Sequence, residues 1–148
     1  MPLLTIDDFR IKASNFNITR AENLLRIICG AFMFPHAMSK FSSFGVLSAG
    51  TIGFFGKAGF QPAELWVWMA FFTEAACGIA LVLGLCTRYA ALGAAAALAI
   101  AVYALHTTKG FGWLWNMGGY EYPVFWALAC VSVALSEFRR IAGEPQRF

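Results

Sequence analysis

The chain has 148 residues, of which 59% are hydrophobic, 16% aromatic and 13% charged. A water-soluble domain carries about 25% charged residues, so this composition excludes an ordinary soluble globule and predicts that a lipid bilayer surrounds the chain. About 20 apolar residues span a bilayer, so roughly four or five crossings are the most this length allows. The net charge of +3 is small and the basic residues lie at the ends of apolar segments, which argues against a nucleic-acid partner.

Residues 1–20 mix polar and apolar side chains, and we expect them to form a short interfacial helix or a loose tail on the cytoplasmic side. Residues 21–148 then follow as a single membrane domain. Its first apolar segment covers residues 24–41. A capping box, Thr19-x-x-Glu22, precedes this segment, and each of its side chains can satisfy a backbone amide at a helix start.

Three more apolar segments cover residues 63–86, 89–107 and 121–138. Each must be helical within a bilayer, because an unpaired backbone group there costs several kcal/mol. The 42–62 connection is rich in Gly, Ser and Phe, and it is too short and interrupted to cross. The sequence therefore predicts an all-α, polytopic membrane protein: a bundle of four transmembrane helices with an interfacial outer loop between helices 1 and 2.

The distribution of Lys and Arg predicts the orientation, because the more basic side of a membrane protein faces the cytoplasm. The termini and the 86–90 turn hold Arg10, Lys12, Arg20, Arg26, Arg88, Arg139, Arg140 and Arg147. The opposite side holds Lys40, Lys57 and Lys109. Both termini are therefore expected in the cytoplasm, and the tryptophans fall near the outer ends of the helices.

Glu74 lies in the interior of the second apolar segment. At 1.5 Å per residue it is about 16 Å along that helix, near the bilayer midplane. A lone carboxylate at this depth costs several kcal/mol, so we expect it to face the bundle interior and to be neutral or partnered. His36 reaches a similar depth on the antiparallel first segment and is the expected partner. Lys40 follows one turn further out, and Pro35 is expected to kink this helix.

A second pair, His106 and Glu121, is expected at the outer mouth, where one residue closes the third segment and the other opens the fourth. Together with His36, Lys40 and Glu74 they would form a polar funnel that opens outward. Ionisable residues inside a membrane are functional candidates. The alternative is that these side chains satisfy one another as structural contacts between helices.

Other side chains give weaker signals. Arg88 lies at the cytoplasmic boundary and is expected to act as a snorkelling anchor. The four cysteines form no C-x-x-C pair and are expected to be small apolar fillers. The His and Glu residues lack the spacing of a known metal site, and no C-x-x-C-H motif favours haem, so neither is predicted.

Five groups of residues form an ordered pattern along the chain. They are Arg26, Gly30, His36 and Lys40; Phe54, Phe55, Gly59 and Pro62; Glu74, Gly78, Gly84, Thr87 and Arg88; His106, Gly110 and Phe111; and Gly118, Gly119, Glu121, Tyr122 and Pro123. In this order and spacing they resemble the DoxX family over about residues 24–138. The resemblance implies a four-helix protein of the bacterial inner membrane. Family members are associated with quinone-linked thiosulfate oxidation and with thiol or oxidative-stress complexes, although most have no demonstrated activity.

The leading hypothesis is an integral membrane subunit of a redox-linked complex that binds a quinone or a small thiol-type reductant in an outward-facing polar pocket. The catalytic candidates are His36, Glu74, His106 and Glu121, and the cofactor-binding candidates are His36, Lys40, Arg88 and Tyr122. A histidine would donate a hydrogen bond to a quinone carbonyl, and a carboxylate would relay the accompanying proton. Whether the chain is an enzyme by itself stays open, because its electrons would come from a partner protein.

Two alternatives belong to other classes of function. A non-catalytic subunit would stabilise a larger membrane complex, whereas a small carrier would move protons or a solute through the polar funnel. In each case the expected partners are membrane lipid, other membrane or redox subunits, and a second copy of this chain.

Overall fold

The computed structural model describes residues 4–143, and these residues are mostly helical. The α-helices are α1 (Ala21–Ala31), α2 (Met33–Met38), α3 (Ala49–Lys57), α4 (Ala63–Leu83), α5 (Thr87–Lys109) and α6 (Glu121–Ile141). Two short strands, β1 (Phe41–Ser43) and β2 (Val46–Leu47), pair as an antiparallel hairpin. Single 3-10 turns lie at Ile6–Phe9, Ala13–Phe16 and Trp115–Met117.

Four helical columns pack side by side: α1 continued by α2, then α4, α5 and α6. The α1 helix contacts α4 and α6, and α5 contacts the same two helices, so the columns surround a common core. Each column contributes to that core, as Cys29, Leu81, Ala94 and Cys130 are at most 2% exposed. We call the end that holds the N-terminal segment and the α4–α5 turn the terminal end. The opposite end, with the hairpin, α3 and the 110–120 connection, is the loop end.

The first column is broken rather than continuous, which corrects the single helix expected over residues 24–41. The break falls at Phe32, between α1 and α2. Pro35 has no N–H to donate to the carbonyl of Ala31, and its ring crowds that carbonyl, so the regular ladder fails one turn before the proline. The α2 helix ends at Met38 and the chain then turns into the hairpin, an element that the sequence did not predict.

The 42–62 connection folds into the hairpin and the α3 helix. The Ser48 side chain caps α3 by accepting a hydrogen bond from the backbone N–H of Thr51 at 3.4 Å. The α3 helix packs against both α4 and α5. This connection therefore supplies a wall beside the helical columns.

A pair of glycines allows α1 and α4 to pack closely. A Cβ added to Gly30 would lie 2.7 Å from the Cβ of Leu81 and 2.8 Å from the carbonyl oxygen of Gly78. No side chain larger than hydrogen fits without moving one of the helices. Small residues at such contacts let the backbones of membrane helices approach.

The N-terminal segment crosses the terminal end, and within residues 4–20 it is neither a loose tail nor an α-helix. The backbone N–H of Cys86 donates to the carbonyl of Asp8 at 2.7 Å, and the Asn15 side chain donates to the carbonyl of Leu83 at 3.1 Å. Arg26 is buried and donates to the carbonyls of Asn15 and of the last turns of α4. These bonds fasten the segment to the α4–α5 turn.

Two helices, α4 and α5, are long and apolar enough to cross a bilayer. In the most apolar 18-residue stretch of α4 only 17% of the residues are buried inside the protein, and in that of α5 only 33% are buried. A core helix of a soluble protein would be mostly buried, whereas α4 exposes Leu65, Met69, Phe72 and Ile79 along one face. This apolar face is suited to contact with lipid.

Candidate ligand-binding site at the loop end

Glu74 is paired with Lys40. The Nζ atom of Lys40 forms an ion pair with Oε2 of Glu74 and also donates to the backbone carbonyl of His36 at 3.1 Å. The side chains of Lys40 and Glu74 are 9% and 16% exposed. The prediction that the His36 imidazole would be the partner is therefore wrong. Because α2 ends at Met38, Lys40 lies beyond the helix, and its long side chain folds back to reach α4.

The His36 imidazole lies beside this pair without a hydrogen-bond partner among residues 4–143. Its ring packs at a tilt on Trp126, with the ring centroids 5.2 Å apart. The side chain is exposed to the adjoining cavities. Both ring nitrogens are therefore available to a ligand.

Two adjoining cavities of about 260 and 410 Å³ surround these residues. The residues that line both of them are His36, Phe54, Glu74, Ala97 and Ala101. The smaller cavity also reaches Tyr122 and Trp126 on α6, and the larger reaches Lys40 and residues of α3. The walls are otherwise mainly apolar, so the ion pair supplies the charges of the pocket, and the His36 imidazole and the Tyr122 phenol are further polar groups in its wall.

The larger cavity has an apolar rim between α4 and α5. Met69 and Ile100 line it and are themselves 49% and 44% exposed. Met69 belongs to the outward apolar face of α4. A ligand with a hydrocarbon tail therefore has an apolar route along this side of the pocket.

His106 and Glu121 do not join the expected five-residue funnel. Neither residue lines the two cavities, and no hydrogen bond or ion pair joins them in the described part of the chain. The His106 ring packs on Tyr120 at 6.1 Å between centroids, and Glu121 accepts a hydrogen bond from the backbone N–H of Trp115 at 3.3 Å. Tyr122, by contrast, lines the smaller cavity next to Trp126.

Arg88 lies at the terminal end, far along the bundle from this pocket, and it is buried rather than snorkelling. It is 1% exposed, and its NH2 atom donates to Oδ2 of Asp8 at 3.2 Å. Its guanidinium carbon lies 4.8 Å from the centre of the Tyr89 ring and 5.8 Å from that of Phe138. Arg88 therefore holds the N-terminal segment to the bundle and does not contribute to the same site as His36.

Asp8 is adapted to remain charged at this buried position. Burial by itself would raise the pKa of its carboxyl group, but hydrogen bonds from Thr5 and the positive charge of Arg88 outweigh that effect. The net result is a pKa below the ordinary value. The backbone and side chain of Thr5 donate to the same oxygen at 2.7 and 2.9 Å.

Sequence reasoning missed two contributors to the pocket, Phe54 and Trp126. Phe54 belongs to α3, a short helix in the 42–62 connection, which was expected to be a loop. The signal that could have indicated this helix is Ser48, a residue type that favours the start of a helix. Trp126 was expected near the outer interface with the other tryptophans, but it is 5% exposed, lies within the fold and lines the smaller cavity.

Within residues 4–143 no three His, Cys, Asp or Glu side chains converge as a metal-ligand group. The cysteines are free thiols, and Cys29 and Cys130 lie in the apolar core. The chemistry available at the pocket therefore comes from the ammonium group of Lys40, the Glu74 carboxylate, the His36 imidazole and the Tyr122 phenol.

Comparison with protein-family models matches residues 22–107 to DoxX. The match covers more than half of the chain and includes His36, Lys40 and Glu74. The chain belongs to the DoxX family. The resemblance expected from the sequence is thus confirmed, but the DoxX match stops before the 110–120 connection and α6, which leaves Glu121 and Tyr122 outside it. No curated protein and no solved structure gives a significant match.

DoxX is a family of membrane proteins. Membership agrees with the composition of the chain and with the two long apolar helices α4 and α5. The polar pocket is therefore part of a membrane protein, and its apolar rim lies on a helix face that suits lipid.

Proposed function

We propose that this DoxX protein binds a quinone, or a similar lipid-soluble carbonyl compound, beside the Lys40–Glu74 pair, and does so as a membrane subunit of a redox-linked complex. One observation carries the proposal. The ion pair and an imidazole without a hydrogen-bond partner in residues 4–143 adjoin cavities that are otherwise mainly apolar. This combination suits a ligand with a flat apolar ring and a few hydrogen-bond acceptors.

The polar groups have complementary roles toward such a ligand. The Lys40 ammonium and the His36 imidazole are donors suited to a quinone carbonyl, and a hydrogen bond from a charged donor is the stronger kind. Glu74 is suited to exchange the proton that accompanies reduction of the ring, because its carboxylate faces the same cavities. A partner protein would supply or accept the electrons, and the expected partners are other redox or membrane subunits.

The hydrocarbon tail of a quinone would leave the pocket past Met69 and Ile100. Both residues are apolar, line the larger cavity and are exposed on the outside of the bundle. The ligand would therefore reach the site from within the bilayer. This route favours a lipid-soluble compound over a small thiol, which would enter from water.

We also propose that all four columns cross the bacterial inner membrane, with the termini in the cytoplasm. The outer columns support this, because Leu24 and Ile28 of α1 and Phe125 and Leu135 of α6 are exposed apolar residues. The burial of Arg26, Arg88 and Lys40 removes them from the surface count of basic residues, and Arg147 lies outside the described part of the chain. The basic residues that remain exposed at the terminal end are Arg10, Arg20, Arg139 and Arg140, against Lys57 and Lys109 at the loop end.

A direct binding measurement tests the proposal. The purified protein in a mild non-ionic detergent is titrated with decylubiquinone, and quenching of tryptophan fluorescence reports occupancy. We expect saturable binding that Lys40→Met and His36→Phe each weaken by roughly 10-fold, because each removes a hydrogen-bond donor to the quinone carbonyl, a loss of about 1.4 kcal/mol. Lys57→Met and Glu64→Gln, which alter exposed charges at the same end, should bind like the parent protein. Equal binding by all four variants would contradict the proposal.

The ion pair also supports a second candidate, a structural subunit of a larger membrane complex. Lys40 follows α2 and Glu74 lies in α4, so the pair ties the first column to the second. In that case the Glu74→Gln variant would lower the yield of the assembled complex in mild detergent, while decylubiquinone would not bind saturably to any form. A normal yield of the Glu74→Gln variant, together with the weakened quinone binding of Lys40→Met and His36→Phe, would favour the first candidate.

A further inference from the structure

A third cavity, of about 380 Å³, lies at the loop end between the 110–120 connection and the first turns of α6. The residues that line it are Trp113, Trp115, Glu121, Tyr122, Val124, Phe125 and Leu128. Four of them are aromatic and one is charged. We call Trp113, Trp115, Tyr122 and Phe125, together with Glu121, the aromatic cage.

The carboxylate of Glu121 forms no ion pair with any basic residue in residues 4–143. It is half-buried, and it accepts one hydrogen bond, from the backbone N–H of Trp115 at 3.3 Å. Its position in the first turn of α6 gives it a modest stabilisation from the helix dipole, which does not neutralise the charge. A negative charge among aromatic rings favours a cationic ligand, because its attraction to a cation is screened less there than in water.

The connection that carries the two tryptophans is held in place by its own backbone bonds. The N–H of Glu121 donates to the carbonyl of Trp113 at 3.0 Å, and the N–H of Gly119 donates to the carbonyl of Leu114 at 2.9 Å. A Cβ added to Gly119 would lie 2.5 Å from the carbonyl oxygen of Gly112, so the start and the end of this loop are in backbone contact. The cage is therefore a built feature of the loop, with its shape set before any ligand arrives.

Aromatic faces attract cations through their electron-rich rings, and tryptophan does so most strongly. A bare metal ion needs several oxygen, nitrogen or sulfur ligands, and one carboxylate among rings does not provide them. An organic ammonium group suits both features, because its alkyl substituents contact the rings while its charge faces the carboxylate. We propose that the aromatic cage binds an organic ammonium group, carried either by an amine-bearing lipid headgroup or by a small soluble ammonium compound.

This site is separate from the pocket at Lys40 and Glu74. Glu121 and both tryptophans of the cage do not line that pocket. Tyr122 lines the cage cavity and also the smaller cavity of the pocket. Tyr122 is therefore left unchanged in the tests below. Loss of ammonium binding in a cage variant and loss of quinone binding in a variant of the Lys40–Glu74 pocket can then be observed independently.

The first experiment tests recognition of the charge. The detergent-solubilised protein is titrated with choline and, in parallel, with 3,3-dimethylbutan-1-ol, a neutral molecule of nearly the same shape, while tryptophan fluorescence is recorded. We expect a saturable change with choline and none with the neutral alcohol. Glu121→Gln should weaken choline binding about 10-fold, since it removes the charge and keeps the shape. Glu64→Gln, at an exposed carboxylate of the same end, should leave choline binding unchanged.

The second experiment tests the lipid as the source of the ammonium group. The protein is reconstituted in nanodiscs of phosphatidylethanolamine mixed with phosphatidylglycerol, and retained lipid is identified by native mass spectrometry. A lipid ligand predicts preferential retention of phosphatidylethanolamine that Glu121→Gln and Trp115→Leu abolish. Trp115 is 69% exposed, so its replacement should not unfold the protein, and an unchanged melting temperature verifies this.

The outcomes separate the two sources and can refute both. Choline binding without lipid selectivity identifies a soluble ammonium compound, and lipid selectivity without choline binding identifies a headgroup. The proposal is overturned if neither ligand is preferred over its uncharged or anionic counterpart. It is also overturned if Glu121→Gln keeps the full preference of the parent protein.

Discussion

The buried pair of Asp8 and Arg88 provides a sharp test of how the terminal end is held together. Asp8→Ala removes the carboxylate that pairs with the NH2 atom of Arg88, a side chain that is 1% exposed. Breaking a buried ion pair from one side costs about 3 to 5 kcal/mol. Because Arg88 keeps its ring contacts with Tyr89 and Phe138, we expect a loss of unfolding free energy near the bottom of this range, about 3 kcal/mol. For a chain of this size that is a fall of roughly 6 to 12 °C in melting temperature.

The neighbouring Asp7 is a matched control for this variant. Its side chain is 62% exposed and pairs with the exposed Arg10 and the partly exposed Lys12. Surface pairs contribute about 0 to 1 kcal/mol, so Asp7→Ala should lower the melting temperature by only a few degrees. Thermal unfolding in mild detergent, followed by intrinsic fluorescence, compares the two variants. Equal melting temperatures for Asp7→Ala and Asp8→Ala would refute the reasoning, and the double variant Asp8→Ala with Arg88→Met should recover much of the loss.

Two further predictions concern stability. The pKa of Asp8 is lower in the folded protein than its ordinary value of 3.8, so its contribution is complete above that pH and is lost as the pH falls through the folded pKa. The difference in melting temperature between the parent protein and Asp8→Asn should therefore shrink below about pH 4, and a difference that grows on acidification would contradict this. Gly30→Ala places a methyl group 2.7 Å from the Cβ of Leu81 and should cost about 1 to 3 kcal/mol of unfolding free energy. Gly53→Ala, in open space on α3, should instead be neutral or stabilising by up to about 1 kcal/mol, so equal losses in denaturant unfolding would count against the close α1–α4 contact.

The two ends of the bundle use buried charge in different ways. At the terminal end, the Arg88 and Asp8 side chains are 1% and 5% exposed and join the N-terminal segment to the bundle. At the loop end, Lys40 and Glu74 border cavities, so the same kind of pair remains within reach of a ligand. Enclosure favours a structural role for Arg88 and Asp8, and the adjoining cavities favour a binding role for Lys40 and Glu74.

Several features of the site were predictable because they depend on each residue alone. A carboxylate in the interior of an apolar helix must be partnered wherever that helix packs, and Glu74 does have a partner. The identity of the partner was not predictable in this way. His36 and Lys40 lie one helical turn apart in sequence, and an unbroken helix would have kept both on one face. The end of α2 at Met38 released Lys40 to fold back toward α4 and left His36 beside Trp126.

The assignment of Arg88 failed for a related reason. An arginine at the edge of an apolar segment usually extends toward water, and nothing in the local sequence contradicts that. Asp8 lies 80 positions earlier in the chain, and it reaches Arg88 because the N-terminal segment crosses the α4–α5 turn. A contact between such distant positions leaves no periodic signal in the sequence.

The amino-acid sequence by itself determined the apolar surroundings of this chain, its helical character and its membership of a membrane family, which rests on residues 22–107. The first two properties are sums over residues, since every side chain contributes its own transfer free energy and every helix its own backbone bonds, and the third depends on the order of residues along the chain. The tertiary structure alone decided that Lys40 rather than His36 holds Glu74, that Glu121 faces an aromatic cage, and that Arg88 is enclosed. Each of these depends on distances of a few ångströms between separate elements, and a helix break or a folded loop changes such distances without changing composition.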